Sequence, residues 1–180
     1  MSIINTIRAT RLITLIAGWA ILSAGFVPAA DAYKEVKVAG ILIEKKEKTL
    51  LVKADGEEEP AKYAIGENKK TSDALKGIFD ASRVQLTYQK NGDTRRLVSI
   101  KRQVLKASGT ITGEVVKVYN DFWVEVKPKK GPADAFAPGG ANFKNKVFMD
   151  TLKGLKKGDV VTITYTTDFE RHRIATLKKK

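Results

Sequence analysis

The strongest constraint on this chain is that it carries one pattern twice. Arg83 to Lys101 (RVQLTYQKNGDTRRLVSIK) lies without gaps over Val160 to Lys178 (VVTITYTTDFERHRIATLK), at an offset of 160 − 83 = 77 residues. Val84, Leu86 and Tyr88 correspond to Val161, Ile163 and Tyr165, alternating with polar residues at the period of two that marks a half-buried strand. Upstream, Gly40 opens an apolar segment (GILIEKKEKTLLVKADG) and Gly109 opens another (GTITGEVVKVYNDFWVEVKPKKG). Repetition in this order means one supersecondary unit copied, and each copy must close around its own core. Aligning Gly40 with Gly109 gives a front offset of 69, so the second copy carries 77 − 69 = 8 extra residues. They fall in the 128–146 segment (PKKGPADAFAPGGANFKNK), whose Pro and Gly content argues for a long irregular loop.

Each copy reads as five strands with a short helix before the fourth. In the first, the pattern predicts strands near 36–46, 49–54, 61–65, 83–90 and 95–102, with Ser72 capping a helix that turns Leu75, Ile78 and Phe79 to one side. Asn91-Gly92-Asp93 supplies a tight hairpin turn, because Asn-Gly tolerates positive φ. In the second, strands are expected near 109–119, 121–127, 145–148, 160–166 and 171–178, with a helical turn near 151–155. Ile111 and Val115 lie in one strand phase and Val116 and Val118 in the other, which predicts a bulge that bends this first strand. The expectation is an all-β protein of two tandem small five-stranded barrels, residues 33–104 and 105–180. Such a unit resembles the OB-fold, with an SH3-like barrel as the structural alternative.

Ahead of the repeats, residues 1–32 have the parts of a secretory signal peptide: Arg8 and Arg11, an uncharged run from Leu12 to Val27, and the small-x-small sequence Ala30-Asp31-Ala32. The apolar run is short for a full span, and an uncleaved anchor is the alternative reading. The expected address is periplasmic or secreted, with no stable membrane span once the leader is cleaved. The chain has no Cys, so lipid attachment at a cleavage-site Cys and disulfide bracing are both excluded. The remaining 180 − 32 = 148 residues hold 33 − 2 = 31 Lys+Arg and 20 − 1 = 19 Asp+Glu, a net charge of +12. That excess favours an anionic partner, such as nucleic acid, acidic polysaccharide or a phosphorylated envelope component, without choosing among them. The lysines are scattered among glutamates, as on solvated strand faces, and form no long basic block.

Site chemistry is sparse. With no Cys and a single His, thiol catalysis, His relays and zinc sites lack parts, and no enzymatic activity and no cofactor are expected. Periplasmic copper and silver carriers of the five-stranded type use a His, two Met and a nearby Trp, whereas the mature segment offers only His172, Met149 and Trp123. Asp168 and Glu170 sit among cations in a turn, where salt bridging explains them, and Gly139-Gly140 does not join a strand to a helix as a phosphate loop does.

The run Leu155-Lys156-Lys157-Gly158-Asp159-Val160-Val161-Thr162-Ile163-Thr164-Tyr165 looks like the approach to the fourth strand in small exported bacterial OB-fold-like domains, many without an assigned function. The resemblance implies a binding or scaffold module, with ligand crossing strands two and three between the loops that join strands one to two and four to five. In the second copy these regions hold Tyr119, Phe122, Trp123, Phe169 and His172, with Lys127, Lys129, Lys130, Arg171 and Arg173 nearby. The first copy has Lys48 and Thr49 where Phe122 and Trp123 stand. Val124 and Val126 share the inward phase with Phe122, leaving Trp123 outward with Glu125 and Lys127. Two fates are open to that indole: stacking a ligand ring, or packing under the 128–146 loop or against the first copy. His172, between two arginines at a hairpin, is expected at the surface. The two functional readings are an anionic-polymer binding module working through the second barrel, and an assembly component that contacts other envelope proteins.

Overall fold

The computed structural model describes residues 34–168 and 171–180, so the predicted leader at 1–32 and Phe169 lie outside the described residues. Strands β1 (Glu35–Lys45), β2 (Thr49–Ala54), β3 (Ala61–Ile65), β4 (Arg83–Asn91) and β5 (Thr94–Arg102) form the first copy, with α1 (Lys69–Lys76) between β3 and β4. The second comprises β6 (Ser108–Tyr119), β7 (Trp123–Pro128), β8 (Asp134–Pro138), α2 (Gly140–Phe143), α3 (Lys146–Lys153), β9 (Val160–Asp168) and β10 (Arg171–Lys179). Each set closes into a barrel, in the orders β1-β2-β3-β5-β4 and β6-β7-β8-β10-β9. Closure joins the third strand to the fifth in parallel in both, Ala64 facing Arg96 and Phe136 facing His172. This is the five-stranded arrangement expected, rather than the SH3-like alternative.

The first strand of each barrel closes it by bending. One half of β1 pairs with β4 and the other with β2, with a register shift between Leu42 and Glu44. In β6 the shift lies between Val115 and Lys117, where the phase change in the sequence predicts a bulge. Near the bends, a Cβ on Gly40 would overlap the carbonyl oxygen of Lys53, and one on Gly113 that of Lys127. These glycines are therefore equivalent, which corrects the alignment of Gly40 with Gly109. The backbone agrees: Leu42 N donates to Ser82 O at 2.9 Å and Val115 N to Asp159 O at 2.8 Å. The front offset becomes 113 − 40 = 73, and the insertion shrinks to 77 − 73 = 4 residues. It coincides with the four-residue α2.

Other expectations are corrected in the same region. The 128–146 segment is not irregular: it contains β8, and Pro138 falls at the strand's end, where a missing N–H does least harm. The strand expected at 145–148 is instead the start of α3, because the Asn145 side chain accepts a hydrogen bond from Phe148 N at 3.1 Å and caps the helix. In the first copy the cap is Asn68, accepting from Lys70 N at 2.9 Å, and Ser72 lies inside α1.

Each barrel has its own core. Leu42, Leu50, Val52, Tyr63, Val84 and Leu86 fill the first, sealed at one end by Leu75 and Ile78. Val115, Val124, Val126, Phe136, Val161 and Ile163 fill the second, sealed by Leu152 and Leu155 at the positions 77 residues on. A third apolar cluster joins the barrels: Ile41, Ile43, Ala81 and Leu51 from the first meet Tyr119, Phe122, Trp123, Ala135 and Ala137 from the second. Residues 33–180 accordingly form one compact unit.

Candidate functional site

The face of β7 and β8 that the sequence marks for ligand is the face that docks the two barrels. Alternation on β7 turns Trp123 and Glu125 out of their own barrel, as expected, but outward here means toward the first barrel. Trp123 is 2 % exposed and its ring lies 4.0 Å from that of Tyr119, nearly parallel at 11°. Glu125 is fully buried: it pairs with Lys53 Nζ at 2.8 Å across the seam and accepts from Tyr119 OH at 3.0 Å. Burial, and then the adjacent carboxylate, push the Tyr119 hydroxyl's pKa strongly upward, so it remains a donor at any physiological pH. Ala135 and Ala137 complete the face, small enough for the first barrel to approach. Of the two fates open to Trp123, packing against the first copy is the one realised, and Tyr119 and Trp123 do not form an open stacking platform.

The seam continues in polar contacts. Arg83, 5 % exposed, makes a bidentate pair with Asp55 at 2.8 and 2.6 Å and donates to Ala133 O at 2.9 Å, crossing from the first barrel to the second. One mouth of the seam is a hollow of about 630 Å³ bordered by Glu57, Glu58, Glu59 and Glu114 together with Lys53, Lys127 and Lys157. Of these carboxylates, Glu57 is bound to Arg95 at 3.0 Å. Lys127 thus stands on a mixed, acid-rich rim, and Lys129 and Lys130 are exposed in the following turn.

The opposite mouth has another character. A cleft of about 430 Å³ is bordered by Lys45, Phe79 and Asp80 from the first barrel and by Asn120, Phe122, Trp123 and Arg171 from the second. Its wall on the second barrel is set by the β6–β7 turn, where Asn120 and Asp121 have φ of 49° and 54° and Phe122 N donates to Tyr119 O at 2.9 Å. Among residues with a side chain, Asn and Asp best tolerate two successive positive φ angles, and the turn carries Phe122 to the cleft, where its ring meets Phe143 edge-on at 5.4 Å. Phe79 and Phe143 are large apolar residues left exposed, at 43 % and 54 %.

Two cations lie against the Phe79 ring. The Arg171 guanidinium lies 5.0 Å from the Phe79 ring centroid and Lys45 Nζ 5.9 Å from it. Lys45 donates to Leu75 O at 3.0 Å and Ile78 O at 2.8 Å, which leaves one of its three N–H groups for another acceptor. Arg171 is poorly compensated: among the described residues its hydrogen bond is to Asp80 O at 3.3 Å, and its Nε is buried with no partner. Burial, and then the neighbouring Arg173, lower its pKa, while Asp168 and Asp80 act against them. The Asp80 carboxyl shifts upward, chiefly through its own burial. A partly desolvated cation with few acceptors is a place where an incoming anion gains most.

His172 is not at the surface. It is 4 % exposed, because the phase of β10 turns it inward with Ile174; it stacks on Phe136 at 5.3 Å and lies 4.2 Å from Tyr165. Its Nδ1 stands 3.0 Å from Asp134 Oδ2, close enough for an ion pair although not aligned as a hydrogen bond. The first barrel has Arg95 at this position, donating to Tyr63 OH at 2.9 Å and to Glu57. Both are basic groups set beneath aromatic rings inside a barrel, a packing role. Arg173 is half-buried, with Nη1 donating to Pro138 O at 3.4 Å.

Of the residues marked from the sequence, Trp123 and Arg171 therefore border one cleft, Lys127 borders the other, and His172 borders neither. Lys45, Phe79 and Asp80 went unmarked. The hint was available at Phe79, an aromatic where the second copy has Lys156.

No protein-family model matches the chain, and no curated protein matches it. Among solved structures it is similar to the tetrameric p202 HIN2 at 10 % identity and a TM-score of 0.30, over 83 % of this chain and 96 % of that one. It is also similar to a multidomain protein with nucleic acid binding domains from Streptococcus pneumoniae TIGR4, at 15 % identity and a TM-score of 0.26, over 77 % of this chain and 44 % of that one.

Proposed function

We propose that this is an exported, non-enzymatic binding module for an anionic polymer, and that the contact surface is the seam cleft bordered by Arg171, Lys45, Phe79 and Phe122. The observation that carries this reading is Arg171, half-buried, with a single hydrogen bond among the described residues and its guanidinium 5.0 Å from the ring centroid of the exposed Phe79. The net charge of +12 after residue 32 supports attraction over a distance, and the cleft supplies the place where it is used. This site moves the binding surface from the face of β7 and β8, which is occupied by the first barrel, to the edge of that face. Export is part of this proposal and is supported by the leader-like 1–32 segment.

Retention on immobilised heparin across a salt series tests the reading. Binding through phosphates or sulfates must weaken steeply as salt rises. Arg171→Ala is expected to elute at lower salt than Lys129→Ala, which removes an equal charge from outside the cleft. Equal elution of the two variants contradicts the site. A second reading, an assembly component contacting envelope proteins, is favoured by one observation: Phe143 and Val147, four residues apart in the chain, are 54 % and 76 % exposed. Crosslinking in cells that recovers a stable protein complex, with no heparin retention, would support it instead.

A further inference from the structure

The ring content of the cleft narrows the polymer. Phe79 and Phe122 are phenyl rings that border the cleft from opposite barrels, and Phe122 meets the ring of Phe143 in α2 edge to face. None carries a hydroxyl that could read a sugar's hydroxyl groups. A π face without polar substituents suits a partner that itself presents planar rings, and stacking of bases on such faces tolerates any sequence. Two cations lie against the first of these rings, Arg171 at 5.0 Å and Lys45 at 5.9 Å, and both retain donors for an anionic oxygen. Asp80 borders the same cleft but leaves the cations in excess. Exposed rings with cations at close range suit a strand of linked planar bases and phosphates, whereas a sulfated sugar chain brings no aromatic ring to the phenyl faces.

We infer that the polymer is single-stranded nucleic acid, its bases placed on Phe79, Phe122 and Phe143 and its phosphates on Arg171 and Lys45. This rests on the cleft being the anion-binding surface, and the test separates the two claims. Fluorescence anisotropy with the full protein would compare a labelled thymidine oligonucleotide of about fifteen nucleotides with an abasic phosphodiester of the same length and charge. The oligonucleotide is expected to bind at least 10-fold more tightly. Phe79→Ala and Phe143→Ala remove exposed rings, so both variants should fold, as circular dichroism would verify. Each is expected to weaken oligonucleotide binding by roughly 5- to 150-fold, the range of one stacked base, while changing abasic binding less than about 2-fold. Arg171→Ala should weaken both ligands. Equal affinity for the two ligands, unaffected by the Phe variants but reduced by Arg171→Ala, overturns the nucleic-acid inference and leaves the anion site standing. Binding of both ligands that ignores Arg171→Ala, or binding of neither, overturns the site as well.

Discussion

Replacing Trp123 by Ala separates the two roles this residue could have. At 2 % exposure, stacked on Tyr119, the indole buries nearly its whole surface in the seam. An aromatic side chain of this kind buries roughly 200 Å². At about 25 cal/mol per Å² that area is worth about 5 kcal/mol, and measured losses for Trp→Ala in cores run about 3–5 kcal/mol. For a folded unit of about 150 residues, here 33–180, each kcal/mol moves Tm by about 2–4 °C, so the variant should melt about 6–20 °C below the parent. Thermal unfolding followed by far-ultraviolet circular dichroism measures this, with heparin retention of the folded variant recorded below its transition. The result that refutes the reasoning is a Tm within about 2 °C of the parent together with lost retention. That pair of outcomes would make Trp123 a ligand contact and not the hinge pin of the seam.

Three further outcomes are expected. Glu125→Ala strips the buried partner from both Lys53 and Tyr119 and should cost about 3–5 kcal/mol in urea unfolding, whereas an exposed substitution such as Lys129→Ala should stay within about 0.5 kcal/mol. Gly113→Ala places a Cβ on the Lys127 carbonyl and should destabilise the second barrel, while Gly92→Ala, in open space but at φ 55°, is strained by its backbone alone; denaturant midpoints of the two report each effect. Asp159 has its pKa lowered, first by a hydrogen bond from Lys179 and then by the Lys156 N–H. A carboxyl depressed on folding contributes stability above its unfolded pKa of about 4, which is lost as pH falls through the lower folded value. The drop in Tm between pH 6 and pH 2.5 should therefore be smaller in Asp159→Asn than in the parent.

The strands of the first copy were legible almost to their ends because alternation, Asn-Gly and Gly punctuation all point one way. The bulge in β6 was legible too, from a phase slip between Val115 and Val116. β8 was hidden: DAFAP lies between prolines, and its pairing with β7 and β10 supplies a stability that local composition does not express. The same limit applied to the site. Periodicity placed Trp123 and Glu125 on the outer face of β7 correctly, but whether an outer face meets water or another barrel is decided by tertiary docking. His172 misled for a related reason, since its two arginine neighbours suggest solvent while the strand phase takes every second residue inward. Arg95, half-buried against Tyr63 at the matching position of the first copy, follows the same inward phase.

The most direct test of the account is amide chemical-shift mapping of the isotopically labelled protein during titration with a heparin oligosaccharide. The largest perturbations are expected on Lys45, Phe79, Asn120, Phe122 and Arg171, on both barrels at one mouth of the seam. Perturbations confined to Lys127, Lys129 and Lys130 at the other mouth, with the Arg171 cleft silent, would contradict it.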